Sequence, residues 1–278
     1  MSSSTQQERA ERLRQLHHAA SPLVLPNVWD AASARVIEQA GFPAIATTSS
    51  GVAVALGYQD GQRISRELLL GVLARITRVV TCPVTADIES GYGASIAEVV
   101  ATVKAVMETG VVGINLEDSL PSDKQTLTEI AYQVELIQAV RALATELNVP
   151  LVINARTDVF LRSIGEPEGR IAHAVQRAHA YLQAGADCIY PIGRLDRTTI
   201  ATLVKEIPGP INIMGGSPSP TLPELAELGV ARVSLAGGVM RAMLGHLRAV
   251  ANELREHGTY TTMSAESFTG AELDSLFE

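Results

Sequence analysis

The chain has 278 residues, 46% of them hydrophobic, with 22 Lys and Arg against 30 Asp and Glu, a formal net charge of -8 at pH 7. That is ample apolar material for a packed core and the wrong sign for nucleic acid or an anionic membrane surface. No apolar run approaches the roughly 20 residues that span a bilayer, and no signal core follows the polar start, so a cytoplasmic protein with a small-molecule partner is expected.

Residues 1–7 read as a disordered tail, and residues 8–19 as a charged helix with a thin apolar face, suited to covering the bottom of a barrel. Eight short strand-like runs follow, at 23–26, 44–48, 84–87, 113–117, 151–156, 188–191, 211–214 and 232–235. Between them lie amphipathic segments at 31–40, 66–79, 96–109, 127–147, 170–184, 198–206 and 222–228. Several of these end at a glycine placed to cap a helix in the left-handed region: Gly41, Gly110, Gly185 and Gly229. Eightfold alternation of strand and helix predicts a parallel sheet closed into a (β/α)8 TIM barrel. A doubly wound open sheet is the runner-up, but no G-x-G-x-x-G follows the first strand.

After Gly237 and Gly238 a long helix is expected over 239–256, then a break at Gly258 and a short helix over 265–276. The last segment has little barrel left to pack on. Its Phe268, Leu273, Leu276 and Phe277 are expected to bury against another subunit, which makes 8–278 one barrel domain with 239–278 as an oligomerisation segment. Cys82 and Cys188 each lie in an apolar run without C-x-x-C spacing and read as reduced buried thiols; the six histidines read as mostly helix-surface residues.

Catalytic side chains of such barrels gather at the C-terminal strand ends. Those ends carry Trp29 and Asp30, then Thr48, Ser49, Ser50 and Gly51, then Asp87 and Glu89, Glu117 and Asp118, Arg156 and Asp158, Asn212, and Ser234. Two acids on one strand end repel, so Asp87 and Glu89 call for a divalent cation or a raised pKa. Glu117 and Asp118 fit the same site or a structural salt bridge; Arg156 and Asp158 fit a substrate clamp or a rim ion pair. Asp60, in the loop after the second strand, fits a ligand reaching through water or an ordinary turn residue. Acids on one side with Arg156 across from them suit a small anion held between an arginine fork and an acid-bound cation. Oxygen ligands without His or Cys favour Mg2+ or Mn2+ over zinc. The glycines at 215–216 and 237–238 follow strands seven and eight, where many barrels hold phosphate and where tight turns are equally expected.

These residues resemble the isocitrate lyase/phosphoenolpyruvate mutase superfamily from residue 26 to the end of the barrel. Residues 86–93 look like its metal-binding Ala-Asp-x-Asp/Glu-x-Gly-Tyr-Gly, residues 115–118 like its Glu-Asp strand end, and residues 155–158 like its Ala-Arg-Thr-Asp. The resemblance implies a barrel whose eighth helix is swapped between subunits of a dimer of dimers, acting on 2-oxo or 2-hydroxy acids with Mg2+. It implies that Asp87 ligates the metal while Asp60, Glu89 and Glu117 hold its waters, that Asp60, Glu117 and Arg156 take part in the reaction, and that Arg156, Ser49, Ser50 and Gly51 contact the substrate, beside Thr48 and Asn212. Two features depart from the pattern. Isocitrate and methylisocitrate lyases carry Lys-Lys/Arg-Cys-Gly-His in a gating loop and a glutamate after the sixth strand; here residues 118–125 contain no Cys or His, and Ile192 takes the glutamate position. A lyase or decarboxylase of small oxo or hydroxy acids is expected, with a phosphonate C–P bond enzyme or a non-catalytic oxo-acid-binding protein as alternatives; Lys124 and Gln125 loosely resemble the phosphonate branch's Lys and Asn.

Overall fold

The computed structural model describes residues 5–120, 123–265 and 267–278. Eight parallel strands form the ring: β1 (Leu23–Leu25, resuming as Asn27–Val28), β2 (Ile45–Thr47), β3 (Val84–Asp87), β4 (Gly113–Glu117), β5 (Val152–Thr157), β6 (Cys188–Pro191), β7 (Asn212–Met214) and β8 (Arg232–Ser234). Pro26, which has no N–H to give, splits β1. Its first half pairs with β8 (Leu23↔Arg232) and its second with β2 (Asn27↔Ala46), while a single bridge, Ile189↔Ile211, joins β6 to β7. Those three junctions close the ring, so the expected barrel is the observed one.

The N-terminal helix, Gln6–Leu16, covers the bottom as its apolar face suggested. Ala10 and Leu13 are fully buried and pack with Leu23, Leu25, Ala44, Ala46, Val112 and Val152. The helix begins before residue 8: Thr5 caps it, and Gln6 Nε2 donates to the carbonyls of Met107 and Val111 at 2.7 and 3.0 Å, so only residues 1–4 of the expected tail lie outside the described residues. Next to it His17 is buried rather than on a helix surface. Both cysteines are free; Cys188 is buried as expected, but Cys82 is only half-buried. No described helix is long and apolar enough to cross a membrane.

Three elements differ from the sequence reading. Residues Ser49–Ala55 form a helix, despite the poor helix formers Ser and Gly, because the chain leaves β2 at Thr48 and turns at once over the barrel mouth. The helix after β4 starts at Ile130 instead of 127, since Asp123–Leu127 pairs antiparallel with Ser119–Leu120 and Thr128 N–H donates to Asp118 O at 2.8 Å. At the C-terminus, one helix over 265–276 is replaced by Thr261–Ser264 and Gly270–Ser275, the latter started by a Thr269/Glu272 capping box.

The long helix Gly238–His257 ends at Gly258, whose φ of +65° is left-handed, and of its residues only Met240 is buried. Met243, Leu244, Leu247 and Leu254 face solvent. Phe268, Leu273 and Phe277 are exposed as anticipated, but Leu276 is not: it is 2% exposed, and its carbonyl accepts from Arg35 Nε on the helix Ala31–Gln39 of its own barrel. The chain end therefore docks in cis.

Candidate active site

The β3 end builds one wall. Asp87, 8% exposed, accepts from Ser49 N–H through Oδ2 at 3.1 Å and from Glu89 N–H through Oδ1 at 3.3 Å, while its own N–H donates to Thr47 Oγ1 at 2.9 Å. Beyond it the backbone turns sharply: Glu89 has φ +52° and Gly91 φ +102°. A Cβ on Gly91 would stand 2.3 Å from Val99 Cγ1, so the Gly-Tyr-Gly motif is needed to fold this turn onto the following helix. Glu89 is held by Gln62 N–H at 2.7 Å and Tyr92 OH at 3.1 Å, and its carbonyl accepts from Glu117 N–H at 2.9 Å.

On the neighbouring strands Glu117 and Arg156 are register partners, so both side chains point into the barrel mouth. Arg156 Nη1 lies 2.8 Å from Glu117 Oε2, and its Nε and Nη2 donate to Asp158 at 2.6 and 3.1 Å. Asp158 also accepts from Ser119 Oγ at 2.6 Å and Arg162 Nε at 2.9 Å. The period of two then sends Asp118 the other way. It is fully buried, accepting from Asp158 N–H at 3.0 Å, Tyr181 OH at 2.8 Å and Arg177 Nη1 at 3.1 Å. Of the two adjacent acids, Glu117 belongs to the mouth and Asp118 to a structural network. Asp158 serves the mouth indirectly, by fixing Arg156.

Thr48, Ser49, Ser50 and Gly51 are brought to the same opening by the turn after β2. Thr48 Oγ1 and Ser50 Oγ are 3.0 Å apart, and a Cβ on Gly51 would come within 2.6 Å of Thr48 Cγ2 and 3.2 Å of Trp29 Cβ. Asp60 is exposed as a residue, but its carboxyl is partly shielded beside Asp87 and Ser49. Asn212 is not at the opening. It starts β7 and is fully enclosed, donating to Ser234 Oγ at 3.1 Å. Asp30 is a helix cap, accepting from Ser33 N–H at 2.7 Å. Residues 121 and 122 of the loop compared with the gating loop lie outside the described residues. Gln62 was missed by the sequence reading: its N–H holds Glu89 and its Oε1 accepts from Tyr92 N–H at 2.8 Å, contacts across 27 and 30 residues that leave no local pattern.

Electrostatics set these acids apart. Burial pushes Glu117 up to about 8; Arg156 pulls against that, and the charges of Asp158, Asp87 and Glu89 add to it. Burial, then Asp87 and Asp60, push Glu89 up to about 7. Asp60 is raised by desolvation and by Asp87. For Arg156, burial opposes the charge, but Glu117 and Asp158 more than offset it and the guanidinium stays protonated. Crowded carboxylates whose ionised forms are disfavoured by burial and by one another make an all-oxygen donor set that suits a hard divalent cation, whose charge would favour those ionised forms. Among the described residues no three His, Cys, Asp or Glu side chains converge to enclose a metal by themselves. Such a site fits Mg2+, which keeps several waters and takes one or two carboxylates, rather than zinc.

Fold and mouth together define a (β/α)8 barrel with a carboxylate-rich pocket facing an arginine. The phosphoenolpyruvate phosphomutase family pattern matches residues 13–255, and the chain belongs to that family, within the isocitrate lyase/phosphoenolpyruvate mutase superfamily. It is 37% identical over 220 residues to an uncharacterized protein of Mycobacterium tuberculosis, covering 79% of each chain. To the 2-methylisocitrate lyase of Escherichia coli it is 30% identical over 248 residues, covering 86% of this chain and 82% of that one. The structure of a phosphonopyruvate hydrolase in complex with oxalate and Mg2+ superposes with a TM-score of 0.85 at 26% identity, covering 96% and 94% of the two chains.

Proposed function

We propose that the protein is a Mg2+-dependent lyase or decarboxylase of small 2-oxo or 2-hydroxy acids that breaks a C–C bond beside the oxo or hydroxy carbon. The observation that carries this reading is the placement of Arg156, locked by Asp158 and Glu117, in the same mouth as Asp87. Arg156 would take the substrate carboxylate with its remaining N–H groups, which the fork to Asp158 orients before the substrate arrives. Asp87 would hold Mg2+ directly, and Asp60, Glu89 and Glu117 its waters. When bound, the cation would neutralise the negative charge that grows on the substrate's oxo oxygen as the bond breaks. The Ser49–Gly51 turn closes the side next to Asp87, and the phosphonopyruvate hydrolase relative, bound to oxalate and Mg2+, supports the pairing of an oxo-acid-like ligand with that metal.

A second reading is favoured by the loop after β4. It contains no Cys or His, and Ile192, where the lyases of the resemblance carry a glutamate, is buried and apolar. With those acid groups absent, cleavage of a phosphonate C–P bond, or oxo-acid binding without turnover, competes with isocitrate-type chemistry. Purified protein with Mg2+, assayed against oxaloacetate, alkyl-malates, methylisocitrate and phosphonopyruvate, separates the three. Turnover of a carbon acid supports the lyase, turnover of phosphonopyruvate alone supports the second reading, and binding of pyruvate with no turnover of any member supports a binding protein.

A further inference from the structure

Beside the acids, the mouth continues into a second space. A cavity of about 930 Å3 begins at Glu117, Gln62 and Tyr92 and runs outward between the Asp123–Leu127 strand and the helix Ile130–Glu146, against Leu127, Tyr132 and Leu136. This is near the top of the range of about 300–1,000 Å3 that encloses drug-sized ligands, and several times what a three- or four-carbon acid fills. Its walls are mainly apolar, and concave apolar surface of this extent marks a ligand site more often than idle surface. One polar group in the wall is unsatisfied. Gln133 is 1% exposed; its Oε1 accepts from Thr128 Oγ1 at 3.3 Å, and its Nε2 has no partner among the described residues. A buried amide donor without an acceptor is costly; Gln133 lines the cavity but this nitrogen is covered, so a small rotation of the side chain toward the cavity would let a ligand oxygen relieve it.

We infer that this cavity seats an apolar tail of the substrate, so that the acid turned over is a 2-oxo or 2-hydroxy acid bearing an alkyl or aryl substituent, with an acceptor oxygen on the tail for Gln133. This rests on the oxo-acid reading above. Glu117 belongs to both spaces: it pairs with Arg156 on one side and lines the cavity on the other, so an acid held between Asp87 and Arg156 would extend its tail past Glu117. Gln62 and Tyr92, which steady Glu89, form the facing edge of the same passage.

The test is calorimetry on the full chain with Mg2+ and the series pyruvate, 2-oxobutanoate, 2-oxohexanoate and 2-oxooctanoate. If the tail enters the cavity, Kd falls about fourfold per methylene until the space is filled. Ala94, a solvent-facing residue at the cavity edge, offers the control. Ala94→Trp should remove the dependence on length and leave the Kd for pyruvate unchanged, with circular dichroism confirming the fold. Gln133→Leu should keep the dependence on length and remove any preference for a tail that carries an ether oxygen. Pyruvate binding with a flat affinity along the series, or an Ala94→Trp variant that keeps the length dependence, overturns the tail cavity while leaving the oxo-acid site intact. Failure of every member, pyruvate included, overturns the oxo-acid reading and this inference with it.

Discussion

Arg156 and Asp158, two residues apart on one strand end, form a side-on fork of 2.6 and 3.1 Å that fixes the guanidinium plane inside the barrel mouth. A lysine can match the charge but not the plane. Arg156→Lys is therefore expected to fold and to weaken oxo-acid binding by about ten- to a hundredfold, the value of a charge-assisted hydrogen bond. Titration calorimetry with pyruvate and Mg2+ checks this, and unchanged affinity would remove Arg156 from the site.

The neighbours Glu117 and Asp118 should behave as opposites. Asp118→Ala leaves the buried Arg177 without its carboxylate and should cost about 3–5 kcal/mol of stability in urea unfolding. Glu117→Gln removes an acid already raised toward neutrality by burial, so its stability cost should be small and its loss should fall on divalent-metal affinity. A large unfolding defect in Glu117→Gln with normal metal binding would reverse the assignment.

How much of this was legible follows from the same pair. Alternating strand and helix periods marked all eight strands, and carboxylates at consecutive strand ends marked the mouth, because both signals are local. Which of two adjacent acids faces inward depends on register, and the pairing of Glu117 with Arg156 decides it. Gln62 acts through partners 27 and 30 residues away that only folding brings near, so its role was not visible, whereas the pairing of Asp158 with Arg156, two residues apart, was already readable as an ion pair. Leu276 was expected on another subunit because the sequence does not show that the chain returns to the helix Ala31–Gln39.

The buried His17 makes the stability of the fold depend on pH. Burial, then the charge of Arg232, lower its pKa from 6.5 to about 3 in the folded chain. Between those values the unfolded chain binds a proton that the folded chain does not, so stability falls as pH drops below about 6.5, by up to about 1.4 kcal/mol per unit, until about pH 3. His17→Gln should lack this component. Urea melts of both proteins from pH 7 to 4 should show the parent losing stability faster; parallel curves would mean that His17 takes up its proton in the folded state.

Assembly is expected to use the exposed face of the helix Gly238–His257. We propose that the apolar face of this helix packs on a neighbour, with Leu247, 59% exposed, near its centre, and that the exposed Phe268, Leu273 and Phe277 extend the contact while Leu276 stays on its own barrel. Light scattering of the full chain at micromolar concentration should show an oligomer. Leu247→Glu, or truncation after Gly258, should lower its mass with the barrel still folded. A monomeric parent would end this proposal.

The central claim is that Asp87 anchors a divalent cation which an oxo acid must share with Arg156. Its most direct test is binding of Mn2+, followed by electron paramagnetic resonance, with and without pyruvate, in the parent and in Asp87→Ala. The parent should bind Mn2+ more tightly when pyruvate is present, and pyruvate should bind weakly once the metal is chelated; Asp87→Ala should lose both effects while keeping the parent's circular dichroism. Equal Mn2+ binding and equal coupling to pyruvate in the two proteins would contradict the account.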